Sequence, residues 1–274
     1  MKETTKQKLE KLDMLLAEMG EITVAFSGGV DSTFLVTYAA GVLGSDRVHA
    51  VTATGANFAP DEIEYALDTG EKLGVSHSIK AAPLPAEFWA NSEDRCYYCK
   101  RAIMSAAMQG AKGVFCDGGN KSDDSDYRPG AKAVKELGIR SPLKEAGLEK
   151  PEIREAMKEM GIDIWNKPAF ACLASRIPYG TVITPEDMKL VYSIEKLLRD
   201  NGYTQVRARL HKPVSSLPGM VRLELLREEM PRLIADEALC QEINDIAKEG
   251  NYSYTAMDII GYRMGSFNEQ LKNR

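Results

Sequence analysis

The chain has 274 residues, enough for one large domain or two modest ones, since compact domains run about 100–200 residues. Hydrophobic residues at 44% and charged residues at 27% exclude a disordered or collagen-like chain, and a formal net charge of −5 excludes a global basic field for holding nucleic acid. Five cysteines are too few, and odd in number, for a disulfide framework; Met1–Gly20 lacks an apolar signal core, and no run of about 18 apolar residues occurs. These features predict a cytoplasmic protein with reduced thiols, without bulk nucleic-acid binding and without a membrane span.

Leu9, Leu12, Leu15, Leu16 and Met19 recur at helical spacing before Gly20, which predicts an amphipathic helix over 3–19. The β-branched run 22–26 ends in Gly28-Gly29 before the apolar stretch 34–43, giving strand, glycine turn and helix. The unit repeats as a strand over 48–54, a helix over 61–73 and a strand over 75–79, then a helix over 100–111 and a strand over 113–116. This alternation predicts an α/β fold whose parallel sheet is wound on both sides, with ligands beyond the strand C-termini. After about residue 180 the pattern changes to a helix over 185–199, strands over 205–211 and 221–226, helices over 230–234 and 238–248, and a last strand over 252–260. That predicts a smaller C-terminal α/β domain with hairpin pairing, so the domains are drawn at 1–180 and 181–274.

Ser27-Gly28-Gly29-Val30-Asp31-Ser32 joins the first strand to its helix. Two glycines let the backbone turn tightly and aim successive N–H groups at an anion, and the helix N-terminus adds partial positive charge. Ser27 and Ser32 add hydroxyl donors. Asp31 would repel a phosphate unless a divalent cation lay between them, which points to Mg²⁺ with a nucleotide. A glycine turn capped by Ser and Asp is the plainer alternative. The loop has neither the Lys of a Walker A motif nor GxGxxG spacing.

The string resembles the SGGxDS loop of the PP-loop ATP pyrophosphatase superfamily, a Rossmann-like fold in which ATP is cleaved to pyrophosphate and AMP is transferred to an acceptor oxygen. Further strings narrow the resemblance: Arg95-Cys96-Tyr97-Tyr98-Cys99-Lys100, Asp117-Gly118-Gly119-Asn120 with Asp126 through Gly130, Arg140-Ser141-Pro142-Leu143, Lys167-Pro168 through Ser175-Arg176-Ile177-Pro178-Tyr179-Gly180, Val206-Arg207-Ala208-Arg209 and Arg222-Leu223-Glu224. Together they are similar to the LarE family of ATP-dependent sulfur transferases. The resemblance implies conversion of carboxylates of pyridinium-3,5-biscarboxylic acid mononucleotide to thiocarboxylates, for the nickel-pincer nucleotide of lactate racemase and related enzymes. It implies a small-molecule nucleotide substrate, a sulfide donor and a homo-oligomer, a hexamer being one form. Transfer of AMP makes chemical sense, because it replaces a poor leaving group on the carboxylate with a good one.

Within that family sulfur comes either from a protein cysteine that is consumed or through a [4Fe-4S] cluster held by three cysteines. Cys96-x-x-Cys99 and Cys172, displaced by one residue toward Arg176 from the consumed cysteine's place, favour the cluster; sacrificial transfer from Cys172 is the alternative. A four-ligand zinc site is disfavoured by the absence of a second CxxC and by only three histidines, His49, His77 and His211. A tRNA-thiolating or other adenylating enzyme of the superfamily, or a nucleotide sensor without chemistry, would use the same loop. The resemblance makes Arg176, Arg207 and Arg209 candidates for the substrate phosphate or carboxylates, and Glu195 and Glu224 candidate acid–base groups; a solvated strand face, an exposed helix glutamate and a cross-strand partner for Arg222 are the alternatives. Asp123, Asp124 and Asp126 are further candidates for Mg²⁺ or a solvated acidic loop. Cys116 and Cys240 are expected in the core, His77 as a surface or satisfied core residue, and Tyr97 and Tyr98 as stacking or core groups.

Overall fold

The computed structural model describes residues 2–125, 129–167, 172–213 and 218–263. In chain order the elements are α1 (Glu3–Met19), β1 (Ile22–Ala25), α2 (Val30–Leu43), β2 (Val48–Thr54), α3 (Pro60–Lys72), β3 (Ser76–Ala81), α4 (Ala86–Trp89), α5 (Arg95–Ala107) and β4 (Val114–Cys116). There follow α6 (Pro129–Glu136), α7 (Pro142–Ala146), α8 (Lys150–Glu159), α9 (Pro185–Asp200), β5 (Arg207–His211), β6 (Gly219–Glu224), α10 (Met230–Ala235), α11 (Glu237–Glu249) and β7 (Tyr252–Met257). Short 3₁₀ turns occupy Asp163–Asn166 and Leu173–Arg176.

Two compact units result: Met1–Pro85 with Asp94–Phe170, and Ala86–Glu93 with Ala171–Arg274. The boundary expected from the sequence, 180/181, lies ten residues later, and the expected first domain includes 86–93.

The first unit is a parallel sheet in the order β3-β2-β1-β4. Ile22, Thr23 and Val24 of β1 are buried, as a central parallel strand covered on both faces requires. One face packs Val24 against Leu12 and Leu16 of α1, Phe34 of α2, Leu143 of α7 and Ile153 of α8. The other sets Val51 and Phe115 against Met104 and Ala107 of α5. This is the α/β fold wound on both sides that the alternation predicts. Strand order reverses between β1 and β4, so the loops leaving these two strands flank a crevice at the sheet's C-terminal edge.

In the second unit β5 and β6 pair antiparallel, with Arg207 opposite Glu224 and Arg209 opposite Arg222. The predicted hairpin is present, but β7 joins β6 in parallel, because α10 and α11 intervene and carry the chain back to the same end. β7 stops at Met257 rather than 260: the Asp258 carboxylate turns back to accept the Ile260 N–H and to pair with Arg222. The insertion 86–93 is sewn to the unit's own 178–183 segment. Asn91, fully buried at a positive φ of 57°, donates from its side-chain amide to Pro178 O and Thr181 O, and Gly180 and Ile183 return N–H bonds to Asn91 O and Trp89 O.

α5 begins at Arg95, five residues before the predicted start, which makes the CxxC helical. No helix among the described residues is long and apolar enough to cross a membrane.

Candidate functional site

The loop after β1 lies at the crevice, and the sequence dictates its shape. Gly28 has φ +66°, and a Cβ there would stand 3.0 Å from Ala66 Cα of α3, so only glycine fits. α2 starts at Val30 behind an extended Gly29, and no side chain caps it. Its first-turn N–H groups, which most helices satisfy with a capping oxygen, face the crevice ready for an anion. Ser27 and Ser32 share a hydroxyl contact of 3.2 Å, Ser32 Oγ accepts the Ser27 N–H at 3.3 Å, and Ser27 Oγ accepts the Gly29 N–H at 3.4 Å. Ser32 Oγ donates in turn to Gly29 O at 3.3 Å, so these long bonds hold the turn in shape. Asp31 sits at the second helical position, its carboxylate 4.0 Å from Lys150 Nζ.

From the other side of the crevice, 117–120 presses onto this turn. A Cβ on Gly118 would lie 2.9 Å from Ser32 N. Asp117, at the end of β4, accepts Gly119 N–H at 3.0 Å and Ser141 Oγ–H at 2.6 Å, which fixes the Gly-Gly path. In the sequence Asp117 and Gly118 stand out only within a family string; a Gly-Gly pair after a buried strand, like that after β1, is the signal of this second close approach.

Among the described residues, the carboxylates of the acidic loop next to it meet lysines and a backbone N–H. Asp124 forms ion pairs with Lys121 at 2.7 Å and with Lys144, which hold its carboxyl below the usual range, and Asp123 accepts the Asn120 N–H at 3.1 Å. Asp126 lies outside the described residues, as does Pro168.

Lys167, part of the string Lys167-Pro168, enters the same corner of the site. Its ammonium donates to Gly28 O at 3.2 Å and lies 3.0 Å from the centre of the Tyr65 ring. Burial pushes it down to about 8, against the opposing pull of Glu62 and Asp61. His77, half-buried on the edge strand β3, is satisfied at the margin of the core: Thr52 Oγ1 donates to Phe26 O at 2.9 Å and so accepts from His77 Nε2 at 2.8 Å, while the ring meets Phe26 edge to face. Burial lowers its pKa.

Cys96 and Cys99, one turn apart on α5, share a helix face near its N-terminus. Cys96 is exposed and Cys99 half-buried, with Asn57 Nδ2 donating to Cys99 Sγ at 3.6 Å. Tyr97 donates to Glu136 and stands edge to face with Tyr98. Cys172 belongs to the second unit and is exposed at the start of the 3₁₀ turn. Among the described residues no three His, Cys, Asp or Glu side chains stand together in a metal-holding group. The donor set still suits iron and sulfide: three accessible, unbridged thiols, against Cys116, which is wholly buried and whose thiol burial pushes up to about 12. Cys240 is a correction to the sequence reading: it is exposed, its thiol donating to Leu233 O at 3.1 Å.

In the second unit the arginines lie in a buried charged network. Arg176 forks onto Glu195, with Nε–Oε1 and Nη2–Oε2 both 2.7 Å, and Glu195 also accepts the N–H of Ala208 at 3.0 Å. Glu195 is 1% exposed, so the exposed-helix alternative is excluded; α9 turns this face to the edge of β5. Arg176 also donates to Cys172 O and Ser175 Oγ, each at 3.0 Å, and so fixes the turn that bears Cys172. Arg209 pairs with buried Glu224 at 2.9 Å and donates to Ser175 O at 2.8 Å, which excludes a solvated strand face. Glu224 also meets Arg222 at 3.3 Å, but as a neighbour two residues away on β6; across the strands it stands opposite Arg207, which corrects the expected cross-strand pairing with Arg222. Arg207 differs: half-buried, it donates to Val206 O and lies over the Tyr262 ring at 5.2 Å, and burial together with the neighbouring Arg176 lowers its pKa.

A strand, an SGGxDS turn and an uncapped helix N-terminus at the switch point of a parallel sheet define a PP-loop ATP pyrophosphatase-type domain. Residues 11–108 match the asparagine synthase family. The chain is 36% identical over 270 residues, 96% of its length and 98% of the relative's, to an uncharacterized protein of Synechocystis sp.. It is 34% identical over 277 residues, 98% and 96% of the two lengths, to the pyridinium-3,5-bisthiocarboxylic acid mononucleotide synthase of Lactiplantibacillus plantarum. An uncharacterized protein of Methanocaldococcus jannaschii is 29% identical over 216 residues, 75% of this chain and 81% of the relative. The chain belongs to the LarE family, the ATP-dependent sulfur transferases of the PP-loop type, and is an adenylating enzyme.

Proposed function

We propose that the chain acts on pyridinium-3,5-biscarboxylic acid mononucleotide on the route to the nickel-pincer nucleotide. A carboxylate oxygen attacks the α-phosphorus of ATP, pyrophosphate leaves, and the acyl adenylate forms. A sulfur nucleophile then adds to the acyl carbon and AMP departs, leaving a thiocarboxylate. The observation that carries this reading is the uncapped α2 N-terminus behind Ser27-Gly28-Gly29, with Gly118 packed against Ser32. Backbone N–H groups of the loop, with Ser27 and Ser32, bind the β,γ-phosphates and stabilise pyrophosphate as it leaves. Asp31 is the carboxylate that would hold Mg²⁺ beside them, since Mg²⁺ takes one or two carboxylates together with phosphate oxygens. Arg207 offers the substrate a guanidinium, while Arg176 and Arg209, neutralised by Glu195 and Glu224, set the positions of Cys172 and of strand β5.

Cys96, Cys99 and Cys172 would hold a [4Fe-4S] cluster, which when bound supplies an open iron for an added sulfide. Asn57 then steadies the Cys99 sulfur. A second reading, in which Cys172 gives up its own sulfur, draws support from its exposure on a turn pinned by Arg176.

One experiment separates these. Protein purified without oxygen is assayed for iron and acid-labile sulfide, and for substrate-dependent pyrophosphate release and thiocarboxylate formation by mass. The cluster reading expects iron that is lost in C96A/C99A and repeated turnovers with sulfide; the sacrificial reading expects no iron, one turnover and a Cys172 lacking its sulfur. Pyrophosphate release that ignores the pyridinium substrate would overturn the proposed function.

A further inference from the structure

The SGGxDS loop carries no cation of its own, yet one is delivered to it from 139 residues away. Lys167 leaves the 3₁₀ turn Asp163–Asn166, its N–H bonded to Ile164 O at 2.9 Å. Arg154 of α8 clamps that segment, donating to Trp165 O at 2.6 Å and to Lys167 O at 2.9 Å. The backbone is therefore fixed while the four-carbon side chain ends in the loop, on Gly28 O and over Tyr65. Tyr65 is the residue whose ring edge lies 3.3 Å from a Cβ built on Gly28, so lysine, ring and glycine form one packed corner. The other nearby lysine, Lys150, faces Asp31.

We propose that Lys167 is the phosphate-binding cation of the loop, holding the Gly28 carbonyl in the free protein and moving its ammonium onto the β,γ-phosphates of bound ATP. This rests on the reading of 27–32 as the ATP phosphate site. The charged and titratable groups around the ammonium are Asp61, Glu62 and Tyr65 of α3, with the Arg154 guanidinium on the Lys167 carbonyl. Burial holds the amine near 8 in the free protein, and phosphate charge raises it in the complex, so binding takes up a proton at alkaline pH. Affinity for ATP therefore falls as pH rises from 7 to 9.

The test is calorimetric titration of the full chain with ATP and Mg²⁺ at pH 7 and pH 9, for wild type, K167M and K167R. K167M is expected to bind roughly 10- to 100-fold more weakly at pH 7, the loss of one charge-assisted contact. K167R, whose guanidinium stays charged, is expected to stay within a few-fold of wild type at pH 7 and to escape the wild-type loss at pH 9. The proposal is overturned if K167M binds within twofold of wild type, or if wild type and K167R share one pH slope, which would leave Lys167 as a brace for the Gly28 carbonyl. Wild-type protein that binds no ATP would overturn the phosphate-site reading itself, an outcome distinct from a defect confined to the variants.

Discussion

The phosphate loop of the first unit and the arginine–glutamate network of the second solve the handling of charge in opposite ways. The loop contributes backbone N–H groups and hydroxyls held only by long internal bonds of 3.2–3.4 Å, and its helix end has no side-chain cap, which costs little where water or an anion can reach it. The network commits its charges to one another: Arg176 to Glu195 and Arg209 to Glu224, all four nearly out of solvent. One design waits for a ligand, and the other spends its charges holding a turn and a strand in place. Substitutions should therefore reveal themselves in different assays, the loop in ligand affinity and the network in folding.

The sharpest way to break this contrast is R176M, which strands Glu195 without a fork and should cost about 3–5 kcal/mol of stability in urea unfolding. The pair replacement R176M/E195L should recover much of that loss while Cys172 becomes more mobile. A loss in R176M of less than about 1 kcal/mol would show that the network does not carry the fold. Next in size, G28A pays for a positive φ and a 3.0 Å approach to Ala66, about 1–3 kcal/mol at the loop. It should appear mainly as weakened ATP binding, with the melting temperature shifted by a few degrees at most.

Thiol labelling sharpens the contrast without mutation. At pH 8 an alkylating reagent should modify Cys96 and Cys172 in the folded chain and spare Cys116, whose pKa of about 12 and complete burial keep it a neutral thiol. Peptide mass spectrometry with and without denaturant checks this. The smallest effect concerns His77. Its pKa is lowered in the folded state, so the unfolded chain binds the proton first as pH falls below about 6.5, and stability present above that pH drains away below it. H77Q should flatten the pH dependence of stability between 7 and 5; an unchanged slope would remove His77 from the account.

The two regions also differ in how far they can be read from sequence. Ser27 to Ser32 announces itself because the chemistry is local: strand, glycines and helix start are consecutive. The strands of the parallel sheet are equally legible, since β-branched runs bounded by glycine leave little choice. Helices α6 and α8 escaped prediction, although Glu149 and Glu152 around Pro151 form a capping box that marks the start of α8. The pairings of Arg176 and Arg209 were illegible, because an arginine shows its charge in the sequence but not which of 40 acidic residues it meets. The same holds for Lys167, whose partner is a carbonyl far along the chain. Alternation in 205–211 suggests one wet face, yet Arg209 on that face is buried because Glu224 of β6 and the Ser175 carbonyl of the 3₁₀ turn meet its guanidinium.

The short excursion 86–93 has its own consequence. Phe88, 1% exposed, and Asn91 are anchored in the second unit although the chain on either side of them belongs to the first. The polypeptide thus crosses between the units three times, and no single cut yields both halves whole. A truncation at residue 180 would keep Phe88 and Trp89 while discarding Ile183, whose N–H bonds to Trp89, leaving a bare apolar patch on the fragment. Dissecting this enzyme genetically therefore calls for excising a loop and closing the gap.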